Sequence, residues 1–360
     1  MINSNTSFGK LKKVVVGREL NLDRRIMDIT FKHFYKEAIG QEIYESRFDG
    51  YRINMESVIK RNQDLDNLAT VLENRGIKVY RPHELKKVIQ FQTPTFKSEM
   101  SSASNVRDIT LVYKDKIIET PTYVRNRYFE NMSLYDVFNE MFDNGAGGQW
   151  IKAPNTKLTE ITVDLDDWQK PRDFSNVSPK YDMAIDGAQF LRIGKDVIVN
   201  VTTYNHWLGF QWVKSFYPES NFHMISIADN HIDGAIICLK PGMFLLDPKY
   251  GKIMDLLPEK FRKWKFLIPD ENDLRKNIDV SGMTDIDIRL ASSRGMDINV
   301  LSLDENTVVA YDKAVCVIDL LERNGFEVIP VSFDNGEIFA GGIHCSTLDL
   351  EREDDYVYYA

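Results

Sequence analysis

Five runs of β-branched and aliphatic residues recur along this chain and constrain its fold more than any other feature. They are KKVVVG (Lys12 to Gly17), ITLVYKDKIIE (Ile109 to Glu119), FLRIGKDVIVNV (Phe190 to Val201), AIICLKPGMFLLD (Ala235 to Asp247) and NVLSLDENTVVA (Asn299 to Ala310). Short apolar runs of this composition read as strands. The last four are each broken by a polar or glycine-containing turn (KDK, GKD, KPG, DEN), so each reads as a hairpin. Helical periodicity lies between some of them. Met55, Val58, Ile59, Leu65, Leu68, Val71 and Leu72 fall on roughly one helical face, and Gly76 follows as a stop before a strand at Ile77, Val79 and Tyr80. LENRGIKVYRP (Leu72 to Pro82) and LERNGFEVIP (Leu321 to Pro330) are displaced versions of one helix–glycine–strand phrase. It is either an internal repeat or a common local solution reached twice.

No long Ser/Pro/Gly linker separates these elements. NGAGG (Asn144 to Gly148) and SNVSPK (Ser175 to Lys180) read as loops. The pattern predicts a single mixed α/β domain over residues 1–360, built of hairpin-plus-helix modules. The acidic, aromatic segment Asp349 to Ala360 reads as a surface tail.

A formal charge of −9 argues against a nucleic-acid surface and mildly favours small cationic substrates. No apolar run approaches the roughly 18–20 residues of a membrane span, and Met1 to Lys10 is too polar for a secretory leader. Cys238, Cys316 and Cys345 are too few and scattered for a disulfide framework, and no CxxC suggests a zinc site. These features together place the chain in a reducing cytoplasm.

Cys345 stands apart from the other two thiols. Cys238 (AIICLK) and Cys316 (KAVCVIDLL) lie in apolar runs, whereas Cys345 lies among small residues in FAGGIHCSTLD. Such a thiol is either a nucleophile or a loop cysteine without a role. A nucleophile needs an acid–base partner. Of six histidines, His231 in ADNHIDG sits just ahead of a strand, two residues from Asp233. It is either a polar loop cap or an imidazole oriented by a carboxylate. Asp186 (MAIDGAQF) and Asp108 (NVRDITLVY) also precede strands. Each alone is an ordinary turn residue, but their recurrence would bring them to one end of a common axis. Carboxylates converging on a thiol suit one substrate class, the planar, cationic guanidinium with its five N–H donors.

At these residues the chain resembles the amidinotransferases, the arginine:glycine and inosamine-phosphate enzymes of the guanidino-group-modifying superfamily. LKKVVVGREL, VRDITLVYKDKIIETPTYVRNRYFE, IDGAQFLRIGKDVIV, HIDGAIICLKPGMFLLDP, ASSRGMDINVLSLDE and GGIHCSTLD are similar to successive family blocks in order and spacing. The resemblance implies a five-bladed, pseudo-symmetric α/β propeller of ββαβ modules. It also implies Cys345 as nucleophile, His231 as acid–base and Asp186 as its carboxylate partner. Asp108, Asp233, Ser292 and Ser293 match family positions that hold substrate. The reaction implied moves the amidino group of L-arginine, through an amidino-cysteine, to an amine acceptor and releases L-ornithine, with neither metal nor organic cofactor expected. Aminoglycoside-type secondary metabolism and a homodimer are within the family's range. A guanidine hydrolase of the deiminase or dihydrolase type is the nearest alternative, and a non-catalytic arginine-binding protein is another.

Four positions depart from the family. The arginine that grips the donor carboxylate falls at Tyr250, beside Lys249. Ala228 and Asn230 differ from the glycine-specific pattern ahead of His231, so a different acceptor pocket is expected, with lysine, glycine, a hydroxylated amine and an aminocyclitol all open as acceptors. Gln189 replaces an aspartate near Asp186.

Overall fold

The apolar runs become strands in the computed structural model, which describes residues 1–19, 24–47, 50–52, 55–145, 147–166, 172–227, 231–274, 296–336 and 338–359. The first run is β1 (Lys10–Val16). A ribbon of β2 (Arg24–Ile26) and β3 (Gly50–Arg52) precedes the helix Met55–Asn74, which leads to β4 (Lys78–Tyr80). A second ribbon, β5 (Gln90–Gln92) and β6 (Lys97–Glu99), comes next. The hairpin β7 (Thr110–Tyr113) and β8 (Lys116–Glu119) is followed by the helix Tyr135–Asp143 and β9 (Gln149–Lys152). The same order returns with β10 (Phe190–Ile193), β11 (Asp196–Asn200), the helix Tyr204–Lys214 and β12 (Asn221–Ile225). It returns again with β13 (Ile236–Lys240), β14 (Met243–Leu246), the short helices Ile253–Leu256 and Glu259–Arg262, and β15 (Lys265–Leu267). The last such set is β16 (Leu301–Ser302), β17 (Thr307–Tyr311), the helix Val315–Arg323 and β18 (Glu327–Val331), after which β19 (Thr347–Glu353) remains.

Each set is a three-stranded sheet with one topology. A hairpin pairs antiparallel, and the crossover helix returns a third strand parallel to the second. β13-β14-β15 and β16-β17-β18 repeat it. β1 finds its hairpin partner at the far end of the chain, antiparallel to β19 and parallel to β4. We number the sheet β19-β1-β4 as module one and the others two to five in chain order. The four expected hairpins form, with Lys114, Gly194 and Gly242 at φ 55°, 66° and 81° in three of their turns.

The helix–glycine–strand phrase occupies the same place in modules one and five. Gly76 N–H bonds Glu73 O and Ile77 N–H bonds Leu72 O; Gly325 bonds Glu322 and Phe326 bonds Leu321 in the same way. Both glycines have positive φ, at 75° and 84°, and end their helices by a Schellman-type closure. The helical face is narrower than its apolar residues suggest. Val58, Leu65, Leu68 and Leu72 are buried, Met55 and Ile59 are exposed, and Arg61 fills the core-facing position between Val58 and Leu65.

Apolar clusters lie between modules, not inside them. Val15 and Leu348 of module one pack with Val112 and Ile117 of module two. Leu111 and Ile118 meet Val197 and Val199 of module three, and Ile198 of module three meets Ile236 and Phe244 of module four. Leu245 of module four meets Val308 of module five, and Leu301 and Val309 of module five meet Val14 and Val16 of module one. The packing order therefore runs through all five and returns to the first.

The expected surface tail is corrected in part. Asp349 is fully buried, and Leu348 and Leu350 are core residues, because this segment supplies the strand that β1 lacks. Asp349 accepts from Arg192 Nη2 at 2.6 Å and Arg352 Nε at 2.7 Å, and also from Arg107. Burial pushes the Asp349 carboxyl up, but these three guanidinium groups hold it well below the usual range. Replacing Asp349 with Asn would leave three buried cations without their shared anion. We expect a loss of about 3–5 kcal/mol of unfolding free energy, read as a lower urea midpoint with β-sheet signal retained in the absence of denaturant. An unchanged midpoint would exclude this role.

Candidate active site

Every module contributes to one cluster from the segment just ahead of its first strand. Asp108 precedes β7, Asp186 precedes β10, His231 and Asp233 precede β13, Asn299 precedes β16, and Cys345 precedes β19. Hydrogen bonds link these segments in sequence. Arg107 N–H reaches Cys345 O at 3.2 Å, and Gly187 N–H reaches Asp108 O at 2.5 Å. His231 Nε2 meets Asp186 Oδ2 at 2.9 Å, Asn299 Nδ2 donates to Asp233 O at 3.2 Å, and His344 N–H donates to Asn299 O at 3.2 Å. Gly187 makes this approach possible, since a Cβ there would lie 2.5 Å from Thr110 O.

The side chains of His231 and Asp186, expected as acid–base and partner, are in contact. His231 Nε2 lies on Asp186, its Nδ1 is 3.6 Å from Asp108 Oδ1, and the Phe34 ring packs edge-on against it at 5.5 Å. Burial pushes Asp186 up, but the hydrogen bond from His231 outweighs it and keeps the carboxyl below its ordinary value. Gln189 holds Asp186 in place: its Oε1 accepts the Asp186 N–H at 2.8 Å while its Nε2 donates to Asn200 O at 2.6 Å. A carboxylate at residue 189 could accept the first bond but could not donate the second.

Cys345 Sγ lies 3.4 Å from Asp233 Oδ2 and 3.3 Å from Asn299 Nδ2, whose Oδ1 accepts the Cys345 N–H at 3.1 Å. Asn299 thus brackets the cysteine from both sides. Gly342 leaves room for it, because a Cβ there would sit 2.6 Å from Asn299 Oδ1. His344 Nδ1 lies 2.8 Å from the same Asp233 oxygen. Burial and the charge of Arg107 push His344 down to about 4, so it donates to Asp233 as a neutral imidazole at pH 7. Burial pushes Asp233 up, but the hydrogen bond from His344 prevails and holds it at about 2.

The two carboxylates expected to hold substrate are each half-occupied. Asp108 Oδ2 pairs with Arg127 at 2.7 Å, and Arg127 also grips Glu130 with two nitrogens. Asp108 Oδ1 and Asp233 Oδ1 are buried and accept no hydrogen bond among the described residues. Buried anionic oxygens without donors are costly, and a ligand rich in N–H groups would satisfy both. Among the described residues no group of three His, Cys, Asp or Glu side chains has the geometry to hold a metal, and no helix is long and apolar enough to cross a membrane.

The arginine deiminase family model matches residues 277–352, which carry Asn299 and Cys345. The L-arginine:L-lysine amidinotransferase of Pseudomonas savastanoi pv. phaseolicola is 28% identical over 89% of this chain and 83% of its own length. SxtG, an amidinotransferase from Microseira wollei in the saxitoxin biosynthetic pathway, superposes with a TM-score of 0.80 at 27% identity, over 100% of this chain and 99% of that one. Over most of its length the chain is similar to amidinotransferases. The inosamine-phosphate amidinotransferase of Streptomyces griseus, at 24% identity, shares the α/β fold with a TM-score of 0.83 over 100% of this chain and 99% of that one.

Lys249 is exposed with its Nζ over the Tyr250 ring at 5.3 Å, and Tyr250 packs on the core between modules three and four. Ser292, Ser293, Ala228 and Asn230 lie outside the described residues. Asn299 and His344 are site residues that sequence reasoning missed. The recurrence of functional residues ahead of each first strand points to Asn299 in module five, and adjacency to Cys345 points to His344. His206 is fully buried, within electrostatic reach of Asp186 and His231, and pushed down to about 3 by its burial.

Proposed function

We propose that this chain is an L-arginine:amine amidinotransferase, one catalytic domain whose five ββαβ modules stand as blades about a common axis. The cyclic order of intermodule cores supports the blade arrangement. The observation that carries the activity is the thiol of Cys345 beside Asp233, with the His231–Asp186 pair joined to it through the same ring of segments.

The donor guanidinium donates N–H bonds to Asp108 Oδ1 and Asp233 Oδ1, with its central carbon facing Cys345. Next to Asp233, a thiolate is disfavoured until that cation arrives and offsets the carboxylate charge. Cys345 Sγ then attacks the guanidinium carbon. His231 gives a proton to the departing amine, ornithine leaves, and an amidino-thioether remains. In the second half, an acceptor amine attacks the same carbon, His231 takes its proton, and the thiolate departs. Splitting one displacement in two is the gain of covalent catalysis. The lysine named in the Pseudomonas relative makes lysine the first acceptor to test.

The match to the arginine deiminase model favours one rival, in which water replaces the amine. Incubation with arginine alone, quenched in acid and read by intact mass, separates the readings. We expect Cys345 to gain one amidino group with one equivalent of ornithine, and an added amine to remove it. Turnover to citrulline and ammonia would establish a hydrolase. Absence of both adduct and product would overturn catalysis on arginine.

A further inference from the structure

Arg61 is a buried cation that the reaction just described does not use. It lies in the helix Met55–Asn74 at a core-facing position and is fully buried. Its fork donates only to neutral oxygens: Nε to Ser104 Oγ at 3.3 Å, and Nη2 to Asn105 Oδ1 at 3.2 Å and Ser346 Oγ at 2.6 Å. Nη1 has no hydrogen-bond partner among the described residues. The Phe333 and Phe339 rings lie 4.6 and 5.9 Å from its Cζ. Arg107, Arg127 and Arg192 are each ion-paired, whereas Arg61 has no carboxylate within pairing distance among the described residues. Burial pushes Arg61 down to about 10, which leaves it charged at pH 7.

An uncompensated charge in such a place is strongly destabilising. Three acidic groups act on Arg61 through space: Asp64, Glu19 and, when ionised, the Cys345 thiol. Asp64 is engaged by the Asn335 N–H at 2.8 Å and its Nδ2 at 3.1 Å, and Glu19 accepts from Ser102. Cys345 is the neighbour of Ser346, whose hydroxyl donates to Gly342 O at 2.8 Å and so turns lone pairs to Arg61.

We propose that Arg61 is a positioning residue for this reaction: it supplies the buried positive charge that favours the Cys345 thiolate, and it fixes the loop of Cys345 through Ser346 and Asn105. The proposal rests on Cys345 as the nucleophile. The other groups around the thiol are Asp233, which opposes ionisation, neutral His344 on the same carboxylate, and the donor Asn299. Arg107 donates to Cys345 O and His344 O but shares its charge with Asp349. His231, Asp186, Asp108 and Arg127 form the acid–base side of the site. Among these groups and the described residues, Arg61 is the cation with no carboxylate at ion-pairing distance, while Asp64 and Glu19 act on it only through space.

The test is the pH dependence of Cys345 alkylation by iodoacetamide in the full chain without arginine, read by peptide mapping so that Cys238 and Cys316 are counted apart. Arg61→Met is expected to raise the midpoint by about one unit, roughly a tenfold slower alkylation below it. Arg61→Lys keeps the charge and is expected to move the rate less than about threefold. Ser346→Ala cuts the bridge without touching the helix and is expected to raise the midpoint by a smaller amount. If Arg61→Met does not fold by circular dichroism, Arg61→Gln, neutral but able to donate to Ser346, carries the same expectation. A midpoint unmoved in Ser346→Ala and in the folded neutral variant overturns the proposal, as does an equal shift in Arg61→Lys. Because no transfer is measured, failure here is distinct from failure of Cys345 as nucleophile, which the amidino adduct reports.

Discussion

Arginine-to-amine transfer is expected to fall by about 10⁴-fold or more in a Cys345→Ala chain, since removing a covalent nucleophile leaves only binding and polarisation. In the proposed mechanism both half-reactions pass through a bond to Sγ, so no acceptor is expected to rescue the loss. The fold should survive. Cys345 sits among small residues, and the bond from its N–H to Asn299 Oδ1 does not depend on the side chain. The measurement is labelled arginine with lysine and a panel of other amines, followed by mass, alongside a thermal melt. Residual transfer above about one hundredth of the parent rate in a folded variant would remove Cys345 from the mechanism.

Asp186→Asn carries the next largest effect, a loss of roughly 10²–10⁴-fold in kcat, the range that general acid–base catalysis contributes. Asn keeps the shape but not the charge that stabilises His231 once it is protonated. With that counter-charge gone, the imidazole gives up its proton more readily, so the limb of activity that needs protonated His231 moves to lower pH. KM for arginine should change little, because Asp186 pairs with His231 rather than with the two free carboxylate oxygens. A rise in KM with kcat and pH profile intact would reassign Asp186 to substrate binding.

Much of this was legible in the sequence because it is local. A β-branched run, a polar turn and a following glycine specify a hairpin or a helix stop within a few residues, and all four expected hairpins formed. Asp108, Asp186 and His231 were also readable as a set, since each precedes a strand of the same unit. The short run at Lys12 to Gly17 was harder. Its partner β19 is more than three hundred residues away, in a segment whose charges resemble those of a tail.

Sequence alone determined the module, the number of apolar runs and the chemical types at the site. Only tertiary structure decided which oxygens are available. Arg127 occupies half of Asp108, and His344 with Cys345 occupies half of Asp233. Asn299 became a bracket for Cys345, and Arg61 became a buried charge on the adjacent Ser346, through contacts spanning 46 and 285 residues. The physical reason is the same in each case. A side chain's neighbours across modules depend on how the five sheets pack in order and return to the first, and periodicity within one module carries no record of that closure.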